Sequence, residues 1–204
     1  MTAEAAEFYS RGAEEFQERH SLDRVSEGYV RAMEGFSSRM EGKVLDAGCA
    51  AGRDLNYFER KGLEAVGIDL SENMVEVASE KTECRVMKAD IRDLPFEDKS
   101  FYGVWCNLLL HLFDGRERLK SLREINRVLR SDGLLFLGLK RGKGSFKREK
   151  YGSEIEQNLL SESRARKELE ETGFKVQDIE INETDEEFDY MNILSRRMGD
   201  ARDD

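Results

Sequence analysis

The chain has 204 residues, a formal net charge of −10, 37% charged and 39% hydrophobic residues. That length suits one domain with a real core, and no apolar run approaches the ~18 residues of a membrane span. The negative charge disfavours long-range attraction to nucleic acid or to an anionic membrane, and residues 1–10 lack a signal peptide's basic and apolar regions, so the expected compartment is the cytoplasm.

Residues 2–19 are rich in Ala and Glu and carry Phe8, Tyr9 and Phe16 at near-helical spacing. A second helix is expected over 22–40, with Val25, Tyr29, Met33 and Phe36 on one face. Residues 43–47 then form a short apolar run, as a buried parallel strand should. It leads into Gly48-Cys49-Ala50-Ala51-Gly52 and a helix through Asn56 and Arg60. Glycines at both corners of such a turn permit positive φ and let a ligand approach closely. A loop between a strand's carboxyl end and a helix's amino end also gathers free N–H groups.

Residues 64–69 are a second apolar run, closing on Asp69, 23 residues after Asp46. A carboxylate one strand–helix–strand unit on can accept from both hydroxyls of a ribose. Ser71 reads as the N-cap of a helix to Lys81, with Met74 one turn in. A third strand over 85–88 ends in Ala89-Asp90-Ile91. A fourth, over 103–106, follows Leu94-Pro95-Phe96-Glu97-Asp98-Lys99-Ser100-Phe101 and ends at Asn107, with His111 just beyond. Residues 116–130 are strongly amphipathic, with Leu119, Leu122, Ile125, Val128 and Leu129 on one face. Ser131-Asp132-Gly133 turns into a strand over 134–139.

Residues 140–161 are highly charged without a clear period, which predicts a substrate-side loop with a short helix. They include the densest positive stretch, 140–148, either a solvated loop or a contact for an acidic substrate. A helix over 164–172 stops at Gly173. Residues 174–181 and 189–194 read as a closing hairpin joined by the polar 182–187, and 199–204 form a polar tail. Cys49, Cys84 and Cys106 are scattered, which suggests neither a disulfide framework nor a metal site.

Two cofactor classes use a glycine loop with a following acid. Dinucleotide enzymes want Gly-x-Gly-x-x-Gly for a pyrophosphate. Here the spacing is Gly-x-x-x-Gly, with Ala50 between. The stretch from Asp46 to Gly52 instead resembles motif I of the class I S-adenosylmethionine-dependent methyltransferases, written Asp-x-Gly-x-Gly-x-Gly. Asp46, Gly48 and Gly52 match it, and Ala50 stands where glycine is usual. Leu94 to Phe101 resembles that family's Leu-Pro-Phe-x-x-x-Ser-Phe-Asp, with Tyr102 in place of the last Asp. Residues 124–138 resemble its Glu-x-x-Arg-Val-Leu-x-Pro-Gly-Gly-x-Leu, with Ser131-Asp132 in place of Pro-Gly.

The resemblance implies an α/β, Rossmann-like three-layer sandwich with a seven-stranded, mostly parallel sheet. Its order is 3-2-1-4-5-7-6, with an antiparallel closing strand and N-terminal helices added. It divides the single domain of 1–204 into a helical lid over 1–41, a cofactor-binding core over 42–139, a substrate-side insert over 140–161, and a helix and hairpin over 162–198. It implies S-adenosylmethionine as cofactor, held by Asp46, Gly48, Ala50, Gly52, Asp69, Leu70, Met74, Asp90, Ile91, Cys106 and Asn107. Asp90 would meet the adenine amino group, flanked by Ile91. Tyr9 and Arg31 are lid candidates or simply packing residues. His111 is the candidate catalytic side chain, for substrate orientation or proton acceptance, or else a structural histidine.

The expected function is methyl transfer to a small molecule by direct in-line displacement. Two other readings are RNA or protein methylation, with 140–148 as docking surface, and a non-catalytic cofactor-binding domain. No metal, membrane or nucleic-acid partner is expected.

Overall fold

The computed structural model describes residues 3–11, 25–150, 153–184 and 188–199. Much of the expected 2–19 helix, the first residues of the 22–40 helix, part of the 182–187 connection and nearly all of the tail lie outside them. A helix α1 covers Ala3–Arg11, and α2 covers Glu27–Ser37. Ser26 caps α2, its side chain accepting from Tyr29 N.

Five strands follow, with a helix between each consecutive pair except the third and fourth. They are β1 (Val44–Ala47), α3 (Arg53–Arg60), β2 (Ala65–Asp69), α4 (Glu72–Ser79), β3 (Arg85–Lys88), β4 (Phe101–Asn107), α5 (Gly115–Val128) and β5 (Leu129–Arg141). A 3₁₀ turn over Leu110–Leu112 lies between β4 and α5. Two more strands, β6 (Ser145–Lys150) and β7 (Ser153–Asn158), precede α6 (Glu162–Glu171), β8 (Phe174–Asn182) and β9 (Asp189–Arg197). The main sheet has seven strands ordered β3-β2-β1-β4-β5-β9-β8. The first five pair in parallel, while β9 is antiparallel to both β5 and β8. This is the expected order, with β6 and β7 inserted.

Alternation along the strands builds two cores. Leu45, Val104, Cys106, Leu135 and Leu137 face one side, where Leu122, Ile125 and Val128 of α5 and Leu169 of α6 cover them. Val44, Trp105, Leu134 and Phe136 face the other, under Met33 and Phe36 of α2 and Leu55 and Phe58 of α3. Trp105 stacks on its cross-strand partner Phe136, with ring centroids 3.6 Å apart. Fully burying an aromatic of this size contributes about 1.5–3 kcal/mol, so this cluster anchors α2 to the sheet.

The insert departs from expectation. Residues 145–150 and 153–158 form an antiparallel hairpin where a loop with a short helix was expected. The charges that obscured a period are cross-strand neighbours: Lys147 pairs with Glu154 at 2.6 Å, directly across from Glu156. On the inner side Ile155 joins the main core and Gln157 is fully buried.

Candidate active site

The turn after β1 is shaped by backbone more than by side chains. Gly48 sits at φ 82, and a Cβ there would meet Leu109 Cδ2 at 2.9 Å. Ala50 adopts φ 45, a left-handed conformation that costs a non-glycine residue about 1 kcal/mol. It is held there because its N–H donates to Asp69 Oδ2 at 3.1 Å. Gly52, at φ 81, is the N-cap of α3.

Asp69, 4% exposed, ends β2. Its other oxygen accepts from Ser71 N at 2.8 Å. Burial raises its pKa, and the hydrogen bonds from Ser71 and Ala50 oppose that rise. A carboxylate has about four lone-pair sites, so two backbone donors leave capacity for more. Asp69 lines a small, partly open cavity with Gly48, Ile68, Leu70, Ala89, Asp90, Ile91 and Leu109. Asp90 is engaged by Arg92, at 2.6 Å from Nη2, and Arg92 also reaches Glu117. Burial opposes charge on Asp90, but Arg92 outweighs it and lowers the pKa.

Met74 is buried against Ala51, with Tyr9 and Ala50 packed beside them. The α1 helix is tied down here, since Ser10 Oγ lies 2.5 Å from Ser71 Oγ and Asn73 Nδ2 donates to the Ser10 carbonyl at 3.3 Å. Tyr9 therefore stands beside the motif I turn. Arg31 does not: its exposed guanidinium reaches Glu180 on β8 at 3.4 Å. Cys106 does not face the cleft either. It alternates onto the α5 side and is wholly buried in the core, where burial drives its thiol pKa upward.

On the opposite face from Cys106, a hub joins α2, α3 and β4 that the residue pattern did not announce. The Tyr29 hydroxyl donates to Asp54 Oδ2 at 2.5 Å and accepts from Arg53 Nη2 at 2.7 Å and Asn107 Nδ2 at 3.0 Å. Trp105 Nε1 also donates to Asp54 Oδ2, at 2.9 Å. Burial and the Asp54 carboxylate hold the Tyr29 pKa well above its ordinary value. The only sequence signal was Tyr29 on the buried face of α2, beside the more conspicuous Arg31.

Asp46 lies close by, 2% exposed, with no hydrogen-bond partner for its Oδ2. Burial first, and then the neighbouring Asp54 charge, raise its pKa well above the usual carboxylate range. Asn107 packs directly over Gly138, where any Cβ would come within 2.1 Å of Asn107 Oδ1. Leu108 follows at φ 51, so both walls of the cleft carry a non-glycine residue in the left-handed region.

His111 is 2% exposed. Burial, and then Lys140, Arg148 and Arg118, drive its pKa down to about 3. The imidazole is therefore neutral near pH 7 and a weak base.

Residues 45–137 match a family model described as a methyltransferase domain. The matched segment is just under half of the chain. It is 30% identical over 128 residues to the malonyl-[acyl-carrier protein] O-methyltransferase of Enterobacter lignolyticus, covering 62% of this chain and 49% of that one. It is 36% identical over 113 residues to the demethylmenaquinone methyltransferase of Staphylococcus aureus, covering 52% and 46%. The chain thus spans just under half the length of these curated relatives. A S-adenosylmethionine-dependent methyltransferase from Methanosarcina mazei superposes with a TM-score of 0.75 at 17% identity, covering 82% of this chain and 97% of that one. The fold of this chain is the fold of that methyltransferase.

Proposed function

We propose that this protein transfers the methyl group of S-adenosylmethionine to a small-molecule acceptor. The observation that carries the reading is Asp69, a buried carboxylate at the end of β2 with spare acceptor capacity, lining a cavity beside a glycine-cornered turn.

The residues present fit the cofactor. Asp69 suits the two ribose hydroxyls, each a charge-assisted hydrogen bond worth about 1.5–3 kcal/mol. Ala89, Asp90 and Ile91 offer a mixed polar and apolar wall for adenine, with Leu70 and Leu109 across the cavity. Gly48, Ala50 and Gly52 bring backbone close on the motif I side, over Met74. The orphaned Asp46 Oδ2 suits an ammonium, and Asn107, fixed by Tyr29, stands at the end of β4. When bound, the cofactor supplies an already activated methyl group. The chain's own task is to hold the acceptor in line and to exclude water. The α1 helix and Tyr9 serve as lid, which keeps residues 1–41 in that role, while 140–161 shapes the acceptor side and 162–198 closes the sheet.

A small acceptor is favoured because several cations of the basic stretch are already engaged or buried. Arg141 pairs with Asp189, Lys147 with Glu154, and Lys140 is 3% exposed. The named relatives act on malonyl-[acyl-carrier protein] and on demethylmenaquinone, as their names say. No helix among the described residues is long and apolar enough to cross a membrane, and a cytoplasmic placement belongs to the same proposal.

Calorimetric titration tests the reading. S-adenosylhomocysteine should bind with a micromolar or lower dissociation constant, and NAD and NADP should give no heat. Tight NAD binding with silence toward the adenosyl ligand would overturn it.

A further inference from the structure

Asp90 lines the cavity that the proposed function gives to adenine, yet its carboxylate is not free to turn there. Arg92, two residues on, grips both of its oxygens. Arg92 N and Nε donate to Oδ1, each at 2.9 Å. Nη2 donates to Oδ2 at 2.6 Å, and Nε reaches the same oxygen at 3.1 Å. This is the two-pronged match that a guanidinium makes with a carboxylate and an ammonium does not.

The guanidinium is itself fixed from two further directions. Its remaining nitrogen, Nη1, donates to Glu117 in the first turn of α5. Its face lies over Phe113, 5.5 Å from the ring centroid, and that ring is fully buried. Glu117 sits at a well-defined helix start, where its N–H donates to Asp114 Oδ1 at 2.8 Å. The orientation of the Asp90 carboxylate is thus set by α5 and the turn before it, as well as by the end of β3. An ordinary surface ion pair contributes little and needs no such geometry.

The pair is reachable, with the Asp90 and Arg92 side chains 28% and 23% exposed. Asp90 lines the cavity and Arg92 does not, so the arginine holds the carboxylate from outside it. A carboxylate has about four lone-pair sites, and Arg92 supplies three donors. One site is left for a ligand. Arg92 also keeps Asp90 ionised, and an ionised carboxylate only accepts. On the corresponding edge of adenine the donor is the 6-amino group.

We propose that Arg92 is a positioning residue, which locks the Asp90 carboxylate with its free lone pair toward the 6-amino group of the cofactor and so makes the cavity select a 6-aminopurine. Arg92 acts through Asp90 and touches no ligand itself. The inference rests on the methyltransferase reading above and names the residue that sets the selectivity of that site.

Calorimetric titration of the full protein tests it, with S-adenosylhomocysteine and with its 6-desamino form, in which purine replaces adenine. The parent should prefer the adenine ligand at least ~10-fold, as one hydrogen bond to a charged group would give. Arg92→Lys keeps the charge and loses the fork. It should weaken the adenine ligand alone, bringing the two ligands within ~3-fold of each other while purine affinity stays within ~3-fold of the parent's. A merely structural role for Arg92 predicts equal weakening of both. If Arg92→Lys does not fold, Glu117→Gln releases only the outer anchor and should shrink the preference at least ~3-fold. No preference in the parent, an unchanged preference in the folded variants, or equal weakening of both ligands would overturn the proposal alone. A parent that binds neither ligand would overturn the methyltransferase reading, and this proposal with it.

Discussion

The two ends of the cleft are built by different means. At the β1–β2–β3 end, the ligand-facing groups lie at strand ends within one continuous stretch, from Asp46 to Ile91, and most contacts are backbone to carboxylate. At the β4–β5 end, the buried polar groups come from the 3₁₀ turn, an inserted hairpin and the end of β5, and most contacts are side chain to side chain. The first end suits a ligand common to a family.

The largest effect should come from the first end. Asp69→Ala removes the proposed ribose acceptor and should weaken S-adenosylhomocysteine binding about 10- to 1,000-fold, or about 1.4–4 kcal/mol. An unchanged calorimetric curve would show that the ribose is held elsewhere. Where the two ends meet, Tyr29→Phe deletes the hydroxyl that links Asp54, Arg53 and Asn107. It should cost about 1–3 kcal/mol in urea unfolding. A midpoint equal to the parent's would show that Trp105 and Arg53 alone hold Asp54.

At the second end, His111 makes stability depend on pH. Its folded pKa of about 3 lies below the unfolded value of 6.5, so the unfolded chain takes up a proton that the folded one refuses. Stability is intact above pH 6.5 and falls as pH drops toward 3, by up to about 1.4 kcal/mol per pH unit. His111→Phe should flatten that slope between pH 6 and 4 in urea titrations. An equally steep slope in the variant would assign the acid loss to other groups.

These contrasts explain what the residues alone disclosed. The alternation of strands and helices was legible because local pattern determines it, while the strand order was legible only through the resemblance to known methyltransferases. Gly48, Asp69 and Asp90 do come together around one cavity, as their places at strand ends suggested. Ser71 was legible as a cap, and its hydroxyl does accept from Met74 N. Tyr29, Asp54 and Trp105 were not, because three distant segments converge on one hydroxyl and no local period records that. Gln157 and Lys140 were hidden for a related reason: dense charge masked the two-residue alternation of the hairpin. Arg31 and Cys106 were assigned to the cofactor through the resemblance alone. Arg31 sits off the buried face of α2, and Cys106 alternates to the far side of β4 from Asn107.

The smallest expected effect concerns strain. Ala50 holds φ 45, at the position where the resembled motif has glycine. Ala50→Gly should relieve about 1 kcal/mol, offset in part by the added freedom of the unfolded chain. The melting temperature should hold or rise slightly, with cofactor affinity preserved. A clear loss of stability would mean that the alanine methyl contributes packing against Tyr9 that outweighs the backbone cost.

The central claim is methyl transfer to a small acceptor, and labelled methyl transfer tests it most directly. The protein would be incubated with methyl-labelled S-adenosylmethionine and a whole-cell extract, then passed through an ultrafilter that retains protein and RNA. The account predicts enzyme-dependent label in a new small-molecule product in the filtrate, lost with Asp69→Ala. Label retained with RNA or protein would contradict the small acceptor, and cofactor binding without any transferred label would contradict the enzyme.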